Sequence, residues 1–157
     1  MRRPAFVSAP RSETGFSLAE MLVVIAILGL FCLIAIPAVG NYIRAARVRT
    51  ANDLMMGDLR AVRYIAITNR VDSTLTIDTA GGTWNYADIH GTTVTRTLEP
   101  GVTFQTGTPA SVTFKPDGTT TAGGSSIVIR GNVTNVNHTF TISITTVGRL
   151  SSVLVKS

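Results

Sequence analysis

Nineteen consecutive residues, Met21 to Val39, carry no charged and no strongly polar side chain. As an α-helix rising about 1.5 Å per residue, such a run matches a bilayer hydrocarbon core of about 30 Å. It is longer than the apolar region of a secretory signal, about 7 to 15 residues. The 157-residue chain has one run of this kind, so it predicts one membrane crossing, at about 18–39. Glu20 stands at the brink of the run, five residues after Gly15. An acidic side chain at the centre of a membrane helix costs about 2.5–3.5 kcal/mol on insertion scales, and less near the edge. Its presence there asks for a reason.

One reason is local. Ser17-Leu18-Ala19-Glu20 is an S-x-x-E capping box, and an acid in the first turn complements the positive end of the helix dipole. Capping does not account for Gly15 followed by Phe16. Gly15-Phe16-Ser17-Leu18-Ala19-Glu20 and the apolar stretch after it resemble the processing site of type IV prepilins and type II secretion pseudopilins. The resemblance implies that residues 1–15 are a leader, cut between Gly15 and Phe16 by a prepilin peptidase that then N-methylates Phe16. It implies that Glu20 serves filament assembly by neutralising the Phe16 amine of the next subunit. It also implies a bacterial inner-membrane protein, single-pass, with its C-terminal domain in the periplasm, incorporated into a pilus or pseudopilus. Expected partners are the prepilin peptidase, other minor and major pilins or pseudopilins, the inner-membrane assembly platform, and secreted cargo or DNA. Charge does not set the orientation, because Arg2, Arg3 and Arg11 precede the run while Arg44, Arg47 and Arg49 follow it.

Ser17 to about Arg70 reads as one long helix, interrupted in pattern by Gly29 and Pro37. Pro37 removes a backbone donor and should bend or loosen it. Beyond Asn41, Val48, Ala51, Met55, Leu59, Val62 and Ala66 form one apolar stripe. Arg44, Arg47, Asp53, Asp58, Arg60 and Arg63 fall mainly off it. After Arg70 the composition shifts to Thr, Val, Ile and Gly. Alternating stretches predict strands at 73–78, 83–89, 92–98, 102–105, 111–115, 125–130 and 139–145, with a short last one at 153–155. Gly81-Gly82, Glu99-Pro100-Gly101, Pro116-Asp117-Gly118 and Gly123-Gly124 mark turns between them. Strands without intervening helices predict an antiparallel sheet. The expected fold is therefore α+β and pilin-like. A long N-terminal helix, 16–70, spans the membrane with its first half and packs its stripe on a β-rich domain, 71–157.

Phe114-Lys115-Pro116-Asp117-Gly118 and the later Gly148-Arg149 pair resemble the GspH/FimT group, which often carries an F-x-P-D-G hairpin and ends near a G-R pair. That resemblance implies a minor pseudopilin or minor pilin at or near the tip of a type II secretion pseudopilus or type IV pilus. The alternative is a FimT-like subunit that binds DNA during natural transformation through a G-R-x-R motif. Here the second arginine is replaced by Ser151. No acidic residue follows Asp117, whereas Arg130, Arg149 and Lys156 do. These three are the candidates for phosphate contact, which would be salt-sensitive and non-specific. Ordinary solvated charge is the favoured reading of them. The net charge of +5 does not by itself name a partner.

The remaining signals are weaker. Trp84 and Tyr86 share a strand face and read as core rather than as a stacking platform. Asp88 and His90 also share a face, but two ligands make a poor metal site. His138 has no evident partner. Asn132-Val133-Thr134 and Asn137-His138-Thr139 match a short glycosylation sequon. Cys32, alone within the apolar run, reads as a small packing residue. No nucleophile–base–acid set is visible and no cofactor or metal is called for. The chain reads as a non-enzyme and as the substrate of an enzyme.

Overall fold

The computed structural model describes residues 15–133 and 136–156, with the side chains of 34–38, 132, 133 and 136 left aside. The leader apart from Gly15, the sequon residue Thr134 and the side chain of Pro37 lie outside the described residues. The chain divides into two compact units, Met1–Ala38 and Val39–Ser157.

The first element is α1, Leu18–Asn69, continuous through position 37. Half of the expected capping box forms: Ser17 Oγ accepts the Glu20 backbone N–H at 3.2 Å, while the Glu20 carboxylate makes no return bond among the described residues. The helix ends where Arg70 adopts a positive φ of 55°. A left-handed residue there stops the helical hydrogen-bond run, although Gly is the usual choice for it. In the first unit every described residue from Gly15 to Leu33 is exposed. Among the described residues no helix is long and apolar enough to cross a membrane. The apolar run continues into 34–38, whose side chains are not described.

The second unit adds eight strands: β1 Ser73–Asp78, β2 Thr83–Ala87, β3 Thr93–Thr97, β4 Val102–Phe104, β5 Ser111–Phe114, β6 Ser126–Val133, β7 Val136–Ile144 and β8 Leu150–Lys156. They make two four-stranded sheets rather than the one expected, ordered β3-β2-β1-β5 and β4-β6-β7-β8. All described pairings between them are antiparallel. The split has a physical basis: Leu75, Ile77, Trp84, Tyr86, Val112 and Phe114 line the first sheet, while Val102, Phe104, Ile127, Ile129, Phe140 and Ile142 line the second, and all are buried in one cluster. Trp84 meets Phe104 edge-on, with centroids 6.1 Å apart at 79°, and so joins the two sheets. A single flat sheet could not bury both sets against one helix.

The helix stripe is the cover. Val48, Ala51, Met55, Leu59, Val62 and Ala66 are all buried, as the spacing predicts. The buried face is wider than the stripe and takes in Asn52, Met56, Asp58 and Ile65. Close approach is achieved at Gly131 on β6, where an added Cβ would run into the Val48 side chain. Strand β8 is longer than expected, seven residues paired in unbroken register with β7.

Candidate functional site

The N-terminal site is a short non-helical approach to α1. Gly15, Phe16 and Ser17 precede the helix, and Phe16 is 74% exposed. An added Cβ at Gly15 would meet no atom within 4 Å. Glu20 projects from the first turn and is exposed. Its backbone is capped, and its carboxylate has no partner among the described residues. The structure thus brings Gly15, Phe16 and Glu20 to one end of one helix.

The second site lies at the other end of α1, where two turns meet. Asp117 Oδ1 accepts the Thr119 N–H at 2.9 Å and the Thr119 hydroxyl at 2.6 Å, closing the Pro116-Asp117-Gly118 turn. Those two bonds hold the Asp117 carboxyl below its ordinary value. Gly118 and Gly148 have φ of 79° and 71°, a region that glycine enters without penalty. Packing requires glycine at 148 as well, since a Cβ there would strike the Gly118 carbonyl oxygen. Arg63 ties the two turns together, donating from Nε to the Gly118 carbonyl at 3.1 Å and from Nη2 to the Val147 carbonyl at 3.4 Å. The two stretches that carried the GspH/FimT resemblance are therefore neighbours in space. Beside them opens a groove of about 450 Å³, lined by Arg60, Arg63, Tyr64, Ile67, Arg149 and Leu150. It gathers three guanidiniums against a partly apolar wall.

The other two DNA candidates lie elsewhere. Arg130 is on β6, paired with Thr103 and Thr139. Lys156 ends β8, opposite His138. Arg149 and Lys156 are seven residues apart along an extended strand, about 23 Å at ~3.3 Å per residue. The structure thus joins Arg149 to Arg60 and Arg63 of the helix, not to Arg130 and Lys156. The grouping was hidden in the sequence because it depends on how α1 lies against the two turns.

Comparison with known proteins bears on the first site. Residues 10–36 match the prokaryotic N-terminal methylation motif. The match contains Gly15, Phe16 and Glu20 and supports a type IV pilin-like prepilin, one processed by prepilin peptidase and assembled with other pilins. No curated protein and no solved structure matches the chain. The methylation motif stops at residue 36, before the second unit begins.

Within that second unit, beyond the reach of the methylation motif, sequence reasoning missed one polar centre. Asp58 is buried; it accepts the Trp84 indole N–H at 2.7 Å and the Tyr86 hydroxyl at 3.0 Å. Arg96 Nε lies 3.6 Å from the same carboxylate. Burial, then the hydrogen bond to Asp58, raises the Tyr86 hydroxyl above its usual value. The available signal was Asp58's place three residues after Met55 and four before Val62, at the flank of the stripe. Asp88 spends its carboxylate on a turn, accepting the N–H groups of His90 and Thr92, each at 2.8 Å. His138 lines a groove with Tyr42, Arg49, Asp53, Leu154 and Lys156.

Proposed function

We propose that the chain is a minor pilin or pseudopilin of GspH/FimT type, a structural subunit and not a catalyst. In this reading it waits in the bacterial inner membrane, crossing once at about 18–39, and is drawn into a type II secretion pseudopilus or type IV pilus at or near its tip. The methylation motif over residues 10–36 carries the reading. Two further features support it. The apolar helix of the first unit is bare along Gly15–Leu33 and needs lipid or other helices to cover it. The P-D-G and G-R turns are locked together by Arg63, which gives those motifs a shared structural task. The test is intact-mass and N-terminal analysis of the chain produced with a prepilin peptidase. The expected product begins at a methylated Phe16. A product that begins at Met1 despite an active peptidase would overturn the reading.

A DNA-uptake role is the second reading, favoured by the gathering of Arg149 with Arg60 and Arg63. Ser151 in place of the second arginine, and the distance of Arg130 and Lys156 from the groove, weigh against it. Full-length chain in detergent, titrated with duplex DNA across a salt series, decides the matter. Affinity that falls steeply with salt and drops in Arg149→Ala supports uptake, and absence of binding at low salt removes it.

A further inference from the structure

Four strands lie at the sheet edges, and three of them are blunted. Strand β3 is polar and carries Arg96. Strand β4 has three residues. Strand β5 has four, with Thr120 bridged to Phe114 and Thr121 donating to the Thr113 carbonyl. Strand β8 is different. It runs seven residues, Leu150–Lys156, without proline or glycine, and Val153 and Val155 are 58% and 51% exposed. An edge of this kind offers a row of free backbone groups to another strand.

The direction of those groups can be derived. Thr145 N–H donates to the Arg149 carbonyl, so 145 and 149 form a hydrogen-bonded pair in the β7–β8 register. Antiparallel ladders alternate, so Ser151, Val153 and Val155 bond to β7. The N–H and C=O groups of Ser152 and Leu154 then point away from the sheet, with no strand beside them among the described residues.

A trough lies along that edge. At the start of β8, Arg149 and Leu150 face Arg60, Arg63, Tyr64 and Ile67. In the middle, Leu150, Ser151 and Ser152 line a hollow of about 500 Å³ with Asn52, Asp53, Met56 and Arg60, and there the Ser152 hydroxyl donates to Asn52 Oδ1 at 2.8 Å, bridging β8 to α1. At the end, Leu154 and Lys156 face Arg49, Thr50 and Asp53 across about 330 Å³. The first and second hollows share Leu150 and Arg60, and the second and third share Asp53, so they follow one another along the β8 edge, with the Ser152–Asn52 bond crossing from strand to helix between them. The lengths agree: Arg49 to Tyr64 spans about 22 Å of helix, and Arg149 to Lys156 spans about 23 Å of strand.

We propose that this edge takes an extended segment of a partner protein, which adds to β8 as a fifth strand alongside the Ser152–Asn52 bridge and has acidic residues at both of its ends. The charge pattern selects the occupant. Arg60, Arg63 and Arg149 hold one end, and Arg49 and Lys156 the other; Asp53 is the one acid in the lining, bonded to Asn52. A second copy of β8 would bring Arg149 against Lys156 at both ends in antiparallel pairing, and like against like in parallel pairing. The chain's own residues 1–14 carry Arg2, Arg3 and Arg11 against the single acid Glu13 and are repelled in the same way. Backbone pairing supplies affinity in such an addition, and the flanking charges supply register and partner choice.

The test uses full-length chain in detergent and two synthetic peptides of alternating threonine and valine, one ended by glutamates and one by lysines. The glutamate-ended peptide should bind at least tenfold more tightly at low salt and slow the amide exchange of Ser152 and Leu154. Leu154→Pro, which removes one outward N–H at an edge that tolerates proline and leaves the Ser152–Asn52 bond in place, should weaken it at least tenfold. The exposed pair of substitutions Arg149→Glu and Lys156→Glu should reverse the preference toward the lysine-ended peptide. The proposal is overturned if neither peptide binds, if the charge swap leaves the preference unchanged, if the exchange protection appears outside β8, if a peptide of residues 1–14 competes as well as the glutamate-ended one, or if β8 instead pairs with a second copy.

Discussion

Asp58 is a carboxylate that helix α1 carries into the core, where it accepts hydrogen bonds from the Trp84 indole and the Tyr86 hydroxyl. Removing it strands two buried donors. Asp58→Ala should therefore cost about 2–6 kcal/mol, from about 1–3 kcal/mol per unsatisfied group. Arg96 is 45% exposed on the side chain at 3.6 Å, a solvent-screened pairing, so Arg96→Ala should cost less than about 1 kcal/mol. Denaturant unfolding of both variants checks the ordering, and equal losses would show that the ion pair and not the buried donors dominates. The same site sets an alkaline limit. Tyr86 has a native value raised above 10.0 by burial and by Asp58. Its contribution is fully present below the unfolded value of 10.0 and is lost as pH rises through the raised native one. Stability should fall above about pH 10, and less steeply in Tyr86→Phe. Asp117 runs the other way: its native value lies below 3.8, so its contribution is present above about pH 4 and lost as pH falls through the native value.

At the scale of elements, the helix stripe and most strand positions were legible because they are local patterns. Spacings of three and four placed Val48 to Ala66 on one face, and all six residues are buried. Alternation placed β1 at its observed limits. The division into two sheets was not legible, because it rests on pairings such as β1 with β5 and β4 with β6, which no local pattern encodes. The length of β8 was missed for a related reason. Ser151 and Ser152 weaken its apolar signal, yet seven consecutive pairs with β7 hold it extended. The contact of β6 with α1 depends on Gly131, whose missing side chain makes room for Val48. Gly131→Ala should destabilise by about 1–3 kcal/mol, the usual range for overpacking. Adding Val48→Ala should recover part of that loss, since the two changes share one space. A double-mutant cycle by thermal unfolding measures the coupling, and additive losses would mean that the helix and sheet adjust independently.

For the whole molecule, the two units are chemically unlike. The second closes its own core, and the first leaves its described apolar side chains in the open. The N-terminal motif was the most legible part of the chain, because it is carried by contiguous residues within the 10–36 match: Gly15 and Phe16 at the proposed cut, Ser17 at the cap, Glu20 in the first turn. In the filament reading, Glu20 enters a water-poor bundle beside the Phe16 ammonium of another subunit. Each charge alone would be costly there, and the pair is tolerable. Glu20→Gln separates this role from the local one. The Ser17 cap uses the backbone N–H of position 20, so helix start and processing should survive the change. What disappears is the counter-charge, and an unpaired buried ammonium costs about 3–5 kcal/mol. The variant should be cleaved and methylated normally and should be recovered in membranes, while its incorporation into sheared filaments falls at least tenfold. Normal incorporation would mean that the Glu20 carboxylate is not needed as a counter-charge and that subunit register is set elsewhere.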